Sequence, residues 1–524
     1  SAAQAGPIGL FVGAALALLF FRTPIMTLGV AVAKGFWDAL FILYIVWAAF
    51  FLYEVVRSAG VFEVFREDIS AFTSNRLVQF LAFGIVFVLF LQASAGFGTP
   101  IAVVAPILVS LGLRPLYAVA LALIGHVWGD SFGSLAISWI AMQLVVEVSQ
   151  PTIVVTTAAI LLALAVAFSV VTLVWYFGGA AALTRGWLLM LVLAAVYGLG
   201  QLAIAPFIPE LAAVVPATVA LGVVFLVPRV LPGYAERMEY ETNPRIMQEG
   251  TSFAEAGGED SDGEREAGPE AAGNRERQLP PLLIGFVPYY GLVVFAILGL
   301  ALTELVEPLG QLEIGLRFPP VETGYGIVQE GTDVYSGLNP IGHPGTYILL
   351  SALVGYFVFR ARSYLEGTPA ADLLMRTQQN AVPPSVAIVG FLTLAQVMDH
   401  SGQTFVLAQG IAEVAPAFLY PAAAAFIGIL GAFITSSNTA SNILFSPLHQ
   451  QAATTLGIGD GVVLGAQMAG GAFGNAIAPA NVALGTGTTG ISGQEGAVLR
   501  ITLVWTAIMG VLGALVAVAI QLAV

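Results

Sequence analysis

The chain has 524 residues, of which 58% are hydrophobic and only 10% are charged, and its formal net charge at pH 7 is −14. This composition excludes a soluble globular protein and indicates an all-α polytopic membrane protein, because each spanning helix needs about 20 predominantly apolar residues. Cysteine is absent, which excludes disulfides and cysteine-based metal sites.

Long apolar runs recur from one end of the chain to the other. They are separated by short polar turns and by two longer polar segments, and we expect most of them to be membrane helices. The runs are 35–53, 77–91, 101–113, 152–177, 186–206, 211–228, 281–303, 345–359, 381–398, 417–434 and 501–524.

The charged residues orient these runs. Arginines cluster in 57–76, 179–187, 229–279 and 360–380, which the positive-inside rule places in the cytoplasm, and the acidic segment 306–343 then lies outside as an extracellular loop. Lys34 is the single lysine in this acidic chain, a composition that predicts a prokaryotic host with high internal salt, where charges are strongly screened. The first residue is Ser1, and we expect the natural N-terminus to lie further upstream.

The segment 229–279 divides the chain into two halves. It carries twelve acidic residues, is rich in Gly, Ala and Ser, and has no apolar period. We expect a disordered, acidic, cytoplasmic linker, either a plain solvated connection or a regulatory one. The predicted domains are therefore 1–228, with the first repeat and connecting helices, and 280–524, with the second repeat.

The two halves resemble each other at a shift of 345 residues. This shift lays 115–140 over 461–485 and 152–177 over 497–522. Counting crossings between the assigned loops, 77–113 leaves and returns on the cytoplasmic side, whereas 417–453 leaves and returns outside. The sequence thus predicts two inverted repeats, each with a re-entrant hairpin and a broken helix, whose hairpin tips meet near the membrane midplane.

The predicted hairpin tips are rich in small and hydroxyl residues. In QASAGFGTP (92–100), glycines allow close backbone approach and Thr-Pro starts a new half-helix, whose free N–H groups suit a carboxylate. ITSSNTASN (434–442) offers the same features in the second half; the alternative is that such residues only pack helices closely. The candidate substrate-binding residues are Ser94, Gly96, Gly98, Thr99, Ser436, Ser437, Asn438, Thr439, Ser441 and Asn442.

A second break follows each hairpin, at 125–134 and 470–479. An ionisable residue at membrane depth is costly and therefore a functional candidate, although glycines at this spacing also serve close packing. The candidates for ion or proton coupling are Asp130, His126, Asn475 and Gln92. The histidines lack metal-ligand spacing, and catalytic and nucleotide motifs are absent, so we expect no enzyme activity, no cofactor, no metal and no nucleic-acid partner.

The chain carries three long motifs, AGFGTPIAVVAPILVSLGLRPLYAVALALI (95–124), SSNTASNILFSPLHQQAATTLGI (436–458) and GGAFGNAIAPANVALGTGTTGISGQEG (470–496). All three resemble motifs of the L-lactate permease family. The resemblance implies uptake of lactate, glycolate or a similar 2-hydroxy monocarboxylate with protons. A Ser-Asn-Thr tip is similar to that of a wider superfamily of carboxylate carriers, which implies homodimers and an elevator-like movement of a transport domain against a scaffold.

The chain departs from the family pattern at several positions. The family usually has an acid where Gln92 stands, tends to have Asp at Asn438 and Lys at Asn475, and lacks the acid Asp130 and the neighbouring His126. Three family charges are thus neutral here, and two titratable residues are new.

These observations predict a multi-pass plasma-membrane carrier that imports a small monocarboxylate with H⁺ or Na⁺. Two alternatives remain open at this point. One is a carrier for a different anion, either a dicarboxylate or an inorganic oxyanion, and the other is a passive anion channel.

Overall fold

A computed structural model of the protein describes residues 2–65, 75–96, 98–230, 242–248, 279–305, 307–323, 325–326 and 328–524. Most of these residues are helical. We number the longer helices α1 (Ala2–Leu19), α2 (Ile25–Ser58), α3 (Arg76–Ser94), α4 (Thr99–Ser110), α5 (Pro115–His126), α6 (Gly133–Val145), α7 (Pro151–Ile204), α8 (Val214–Val230), α9 (Val287–Leu305), α10 (Pro344–Ala361), α11 (Ala370–Ser401), α12 (Gln403–Val414), α13 (Tyr420–Thr435), α14 (Asn438–Leu456), α15 (Asp460–Asn475), α16 (Pro479–Thr488) and α17 (Glu495–Ala523).

The fold class agrees with the sequence prediction. Within the described ranges, seven helical segments are long and apolar enough to cross a membrane, and an eighth is formed if the bent pair α5 and α6 counts as one span. The protein is therefore a multi-pass membrane protein. The seven segments are α2, α3, α7, α10, α11, α17, and α13 with the turn before it.

Helices α1, α2 and α11 pack together through backbone-close glycine contacts. A Cβ added to Gly35 of α2 would lie 2.8 Å from the backbone nitrogen of Thr393 in α11, and one added to Gly6 of α1 would lie 3.3 Å from the Cα of Gly390. Such close crossings favour small residues in membrane helices, where packing rather than hydrophobicity drives association.

The predicted extracellular loop 306–343 contains two small antiparallel sheets. Strand β1 (Ile314–Phe318) pairs with β4 (Thr332–Leu338), and β2 (Val321–Glu322) pairs with β3 (Val328–Gln329). The loop is fastened to α2, because Tyr335 Oη and Ser336 Oγ each donate a 2.8 Å hydrogen bond to the buried carboxylate of Asp38.

Two helix pairs interrupt the membrane spans. In the first half α3 ends at Ser94 and α4 begins at Thr99, and in the second half α13 ends at Thr435 and α14 begins at Asn438. A second break follows each pair, between α5 and α6 and between α15 and α16. The helix ends at these four breaks position the candidate site.

Part of the predicted linker contacts the helical body. Residues 242–248 are described, whereas 231–241 and 249–278 lie outside the described residues. The amide of Gln248 donates to Gly112 O at 2.9 Å, and its side-chain amide donates to Val109 O and Leu113 O at 3.1 and 2.9 Å. This short segment therefore fastens the turn between α4 and α5.

We expect that replacing Gln248 by alanine loosens this attachment. The change removes two hydrogen bonds from the side chain, each worth about 0.5–1.5 kcal/mol, so local opening becomes about fivefold or more frequent. Hydrogen exchange of the full chain should show faster exchange of the amide of Gln248 and of Arg114, which donates to Ile246 O at 2.8 Å. The exposed Arg245→Ala is the matched control, and equal exchange in both variants would contradict the expectation.

Candidate functional site

The breaks between helices border one cavity of about 920 Å³. Both halves of the chain contribute its walls, as the sequence predicts for two tips that meet. The predicted residues that line the cavity are Gln92, Gly96, Gly98, Thr99, Asp130, Ser436, Ser437, Asn438, Thr439 and Asn475.

The first tip depends on its glycines. Gly96 and Gly98 have φ angles of +53° and +81°, a left-handed conformation that glycine adopts without strain. A Cβ on Gly96 would also lie 2.6 Å from Ser134 Oγ, and one on Gly98 would lie 3.3 Å from Asn481 Oδ1. The helix N-terminus at Thr99 follows immediately, with Pro100 in its first turn.

The second tip is held by hydroxyl groups. Ser436 has a left-handed φ of +57°, and Ser437 caps α14 by accepting a 3.3 Å hydrogen bond from the amide of Ala440. Thr439 Oγ1 lies 2.8 Å from Ser138 Oγ on α6. The N-terminus of α14 therefore faces the same cavity as the N-terminus of α4 and is linked to the break of the first half.

Asp130 lies at the break between α5 and α6 and is 8% exposed. Its Oδ1 accepts a 2.7 Å hydrogen bond from Gln92 Nε2, which ties the break to the first tip. Asn438 Nδ2 donates to Ser131 Oγ at 3.3 Å, which brings the second tip to the same place. Three buried oxygens here have no partner with regular hydrogen-bond geometry among the described residues, namely Asp130 Oδ2, Gln92 Oε1 and Asn438 Oδ1, and the amides of Asn438 and Asn475 lie beside the Asp130 carboxyl group.

The start of α6 is conformationally unusual. Ser134, Leu135 and Ala136 have φ angles of +47°, +56° and +61°, although none of them is glycine. A left-handed conformation costs roughly 1–2 kcal/mol for each such residue, and strain of this kind concentrates at functional sites. Because Ser134 lines the cavity, the strained turn forms part of its wall.

Asn475 lines the cavity from the break between α15 and α16. Its Oδ1 accepts a 3.3 Å hydrogen bond from Asn481 Nδ2, so the two amides form one polar patch. Asn475 occupies the position that corresponds to Asp130 at the shift of 345 residues. The carboxyl group of Asp130 therefore lies among amides, those of Gln92, Asn438 and Asn475.

Four predicted site residues lie outside the cavity lining. Ser94 Oγ donates to Phe90 O at 2.9 Å, within its own helix, and His126 Nδ1 lies 2.7 Å from Leu123 O. Ser441 and Asn442 both accept hydrogen bonds from Gln467 Nε2, at 3.0 and 3.3 Å. These four side chains therefore make their hydrogen bonds within and between helices and do not line the cavity.

Several lining residues were not among the sequence candidates. Asn481 follows the second break within the motif 470–496, and its position two residues after Pro479 was an available signal. Arg57 and Asn380 lie on α2 and α11, far from either tip in sequence, and nothing local to them indicates a cavity. Over the described part of the chain, no group of three or more His, Cys, Asp or Glu could hold a metal ion.

Comparison with known proteins gives the chain its family. The family profile described as L-lactate permease matches residues 1–524. The L-lactate permease of Escherichia coli (strain K12) is 28% identical over 517 residues, which cover 95% of this chain and 88% of that protein. The L-lactate permease of Halalkalibacterium halodurans is 27% identical over 529 residues, with coverages of 97% and 93%.

One further relative and one solved structure complete the comparison. The glycolate permease GlcA of Escherichia coli (strain K12) is 26% identical over 527 residues and is covered to 90%, against 97% of this chain. Among solved structures, the YdaH transporter of Alcanivorax borkumensis aligns with 91% of this chain and 84% of that chain, at 14% identity and a TM-score of 0.42. On the match to the family profile along its whole length, the chain belongs to the L-lactate permease family.

Proposed function

We propose that this protein is a secondary active transporter that imports a small monocarboxylate into the cell. L-lactate, glycolate or another 2-hydroxy acid is the substrate class, and H⁺ or Na⁺ is the coupling ion. The observation that carries the proposal is one cavity that is lined by two helix N-termini and a buried carboxyl group. The lactate and glycolate permeases among its relatives support the same substrate class.

The carboxylate of the substrate binds between the two tips. The N-terminus of α4 at Thr99 and that of α14 at Asn438 each present the positive end of a helix dipole to the cavity. The first amides of α4 are already bonded, contrary to the sequence expectation, because Thr99 N donates to Gly96 O and Ile101 N donates to Gly98 O. A lone carboxylate needs no arginine in such a position, and the tips carry none. Hydroxyl and amide groups of Ser437 and Asn481 are available to a 2-hydroxyl group.

Coupling takes place at Asp130. Asp130, Gln92 and Asn438 each have a buried oxygen without a regular hydrogen bond. A proton bound to Asp130 would neutralise its carboxylate, and a sodium ion bound by the three oxygens would do the same. Both choices neutralise the carboxylate before the anionic substrate binds nearby. The site therefore favours entry of substrate and cation together.

The alternation of access follows from two inverted repeats in an elevator-type homodimer. Helix starts support the repeat, because α2 begins at Ile25 and α11 at Ala370, 345 positions later, and α5 and α15 begin at Pro115 and Asp460, again 345 apart. One wall of the cavity comes from α2 and α11 and the other from the hairpins and breaks. Movement of the second wall against the first would carry the substrate site across the membrane. The host is a prokaryote with high internal salt.

The deciding experiment measures uptake of labelled L-lactate by the purified protein in high-salt proteoliposomes. A proton gradient and a sodium gradient are imposed separately. We expect accumulation above equilibrium under one of them, and the effective gradient identifies the coupling ion. If L-lactate only equilibrates across the membrane, at rates above those of a carrier, the protein is a channel. If L-lactate is not taken up but a dicarboxylate or an inorganic oxyanion is, the proposed substrate class is wrong.

A further inference from the structure

The cavity extends well beyond the two tips. One face of α4 lines it from the first helical residue to the last, through Thr99, Ala102, Val103, Pro106, Ile107 and Ser110. At 1.5 Å per residue this face is about 16 Å long, several times the length of a three-carbon acid. A monocarboxylate bound at the tips therefore leaves most of the corridor free.

The lining of this cavity also carries a cation. Among the described residues that line the cavity, Arg57 alone is positively charged, and Glu63 and Asp130 are acidic. Arg57 lies in the last turn of α2, at the end that the arginine pattern places in the cytoplasm. Its charge therefore stands at the inner mouth, away from the tips.

The guanidinium group is positioned rather than free in solution. Its Nη1 lies 3.8 Å from Glu54 Oε1, one turn earlier on α2. The same Glu54 oxygen accepts a 2.8 Å hydrogen bond from Asn380 Nδ2 on α11, and Glu54 is fully buried. A fixed carboxylate thus holds the arginine beside the corridor, while 43% of the arginine side chain stays exposed.

A local positive charge has a clear use in this chain. The net charge of −14 repels an anion that approaches the cavity, and the C-terminal end of α2 adds a negative helix dipole at the mouth. Although Glu54 pairs with one side of Arg57, the exposed part of the guanidinium group offers the paired donors that a carboxylate binds best.

We propose that Arg57, paired with the Glu54 carboxylate that Asn380 positions, forms a second carboxylate site at the inner mouth of the cavity. The site takes small monocarboxylate anions on their way to or from the tips. This inference rests on the proposed function and extends it by a second binding site that acts only on substrate at the cytoplasmic side. Loss of this binding site raises the KM for substrate presented at the cytoplasmic side and leaves the KM for substrate presented at the other side unchanged.

The test compares uptake of labelled L-lactate by inside-out and right-side-out membrane vesicles. We expect Arg57→Gln to raise KM about fivefold or more in inside-out vesicles and to leave KM unchanged in right-side-out vesicles. Arg57→Lys keeps the charge and should restore most of the affinity. Arg376→Gln is the matched control, since it removes a cytoplasmic charge one turn from Asn380 that does not line the cavity.

Four results would overturn the inference. KM unchanged in both vesicle types, or an equal effect of Arg376→Gln, would remove the site. A lower melting temperature in Arg57→Gln that Arg57→Lys does not restore would assign Arg57 to structure alone. Absence of uptake by wild-type vesicles under any gradient would contradict the proposed function itself. That outcome is distinguishable from failure of the Arg57 inference, in which the wild type is active and the Arg57 variant has the same KM.

Discussion

Replacing Asp130 by asparagine is expected to abolish gradient-driven accumulation of substrate and to spare exchange of internal for external substrate. Asparagine keeps an oxygen that can accept the 2.7 Å hydrogen bond from Gln92, so the break retains its main contact. It removes the charge that a proton or a sodium ion neutralises. The variant therefore resembles a protein with its coupling ion permanently bound, which still moves substrate but cannot use a gradient.

Proteoliposomes allow both modes to be measured on one preparation. Accumulation under the effective gradient should fall about tenfold or more, close to the level of liposomes without protein. Counterflow of labelled against unlabelled L-lactate should stay within about twofold of the wild type. Unchanged accumulation would remove Asp130 from the mechanism, and loss of both modes would assign it to substrate binding.

Asp460→Asn provides the matched control. Asp460 is also a buried carboxylate, 7% exposed, and accepts hydrogen bonds from Ser149 Oγ at 2.6 Å and Gln450 Nε2 at 3.2 Å. It lies at the first turn of α15 and does not line the cavity. We expect accumulation and counterflow to survive this change, because a buried acid outside the cavity has no part in coupling.

The positions of the tips could be predicted because they contradict their surroundings. A run of small and hydroxyl residues inside apolar sequence breaks a helix, and broken backbone at membrane depth needs a cavity. The same reasoning selected Asp130 as a candidate, because an ionisable residue is costly in an apolar stretch. Local sequence was sufficient in these cases, since a break and a buried charge are properties of single segments.

The facing of individual side chains could not be predicted in the same way. Ser441 and Asn442 follow the second tip in sequence, yet Gln467 of another helix determines where they point. Arg57 lines the cavity beside Glu54, whose carboxylate is bonded to Asn380, 326 positions further along the chain. Rotation of a helix about its axis depends on such distant partners, and one sequence without its fold does not show them.

Replacing either of two adjacent glycines of α15 by alanine should impair the protein in a different way, one in stability and the other in substrate binding. A Cβ on Gly470 would collide with the backbone oxygen of Ala425 and lie 2.8 Å from its carbonyl carbon, and backbone atoms in a helix cannot move aside cheaply. A Cβ on Gly471 would collide with Oδ1 of Asn438, a side-chain amide at the second tip that can rotate. The first change thus disturbs helix packing, and the second disturbs the substrate site.

We therefore expect Gly470→Ala to lower the free energy of unfolding by about 1–3 kcal/mol, as overpacking does, with a lower melting temperature in detergent. Gly471→Ala should melt within a few degrees of the wild type yet bind L-lactate about tenfold more weakly, because Asn438 rotates away from the α14 N-terminus. Gly410→Ala, where a Cβ would meet no atom within 4 Å, is the control for both. Equal melting temperatures for the two variants would show that α15 shifts as a whole, and unaltered binding in Gly471→Ala would remove the amide of Asn438 from the substrate site.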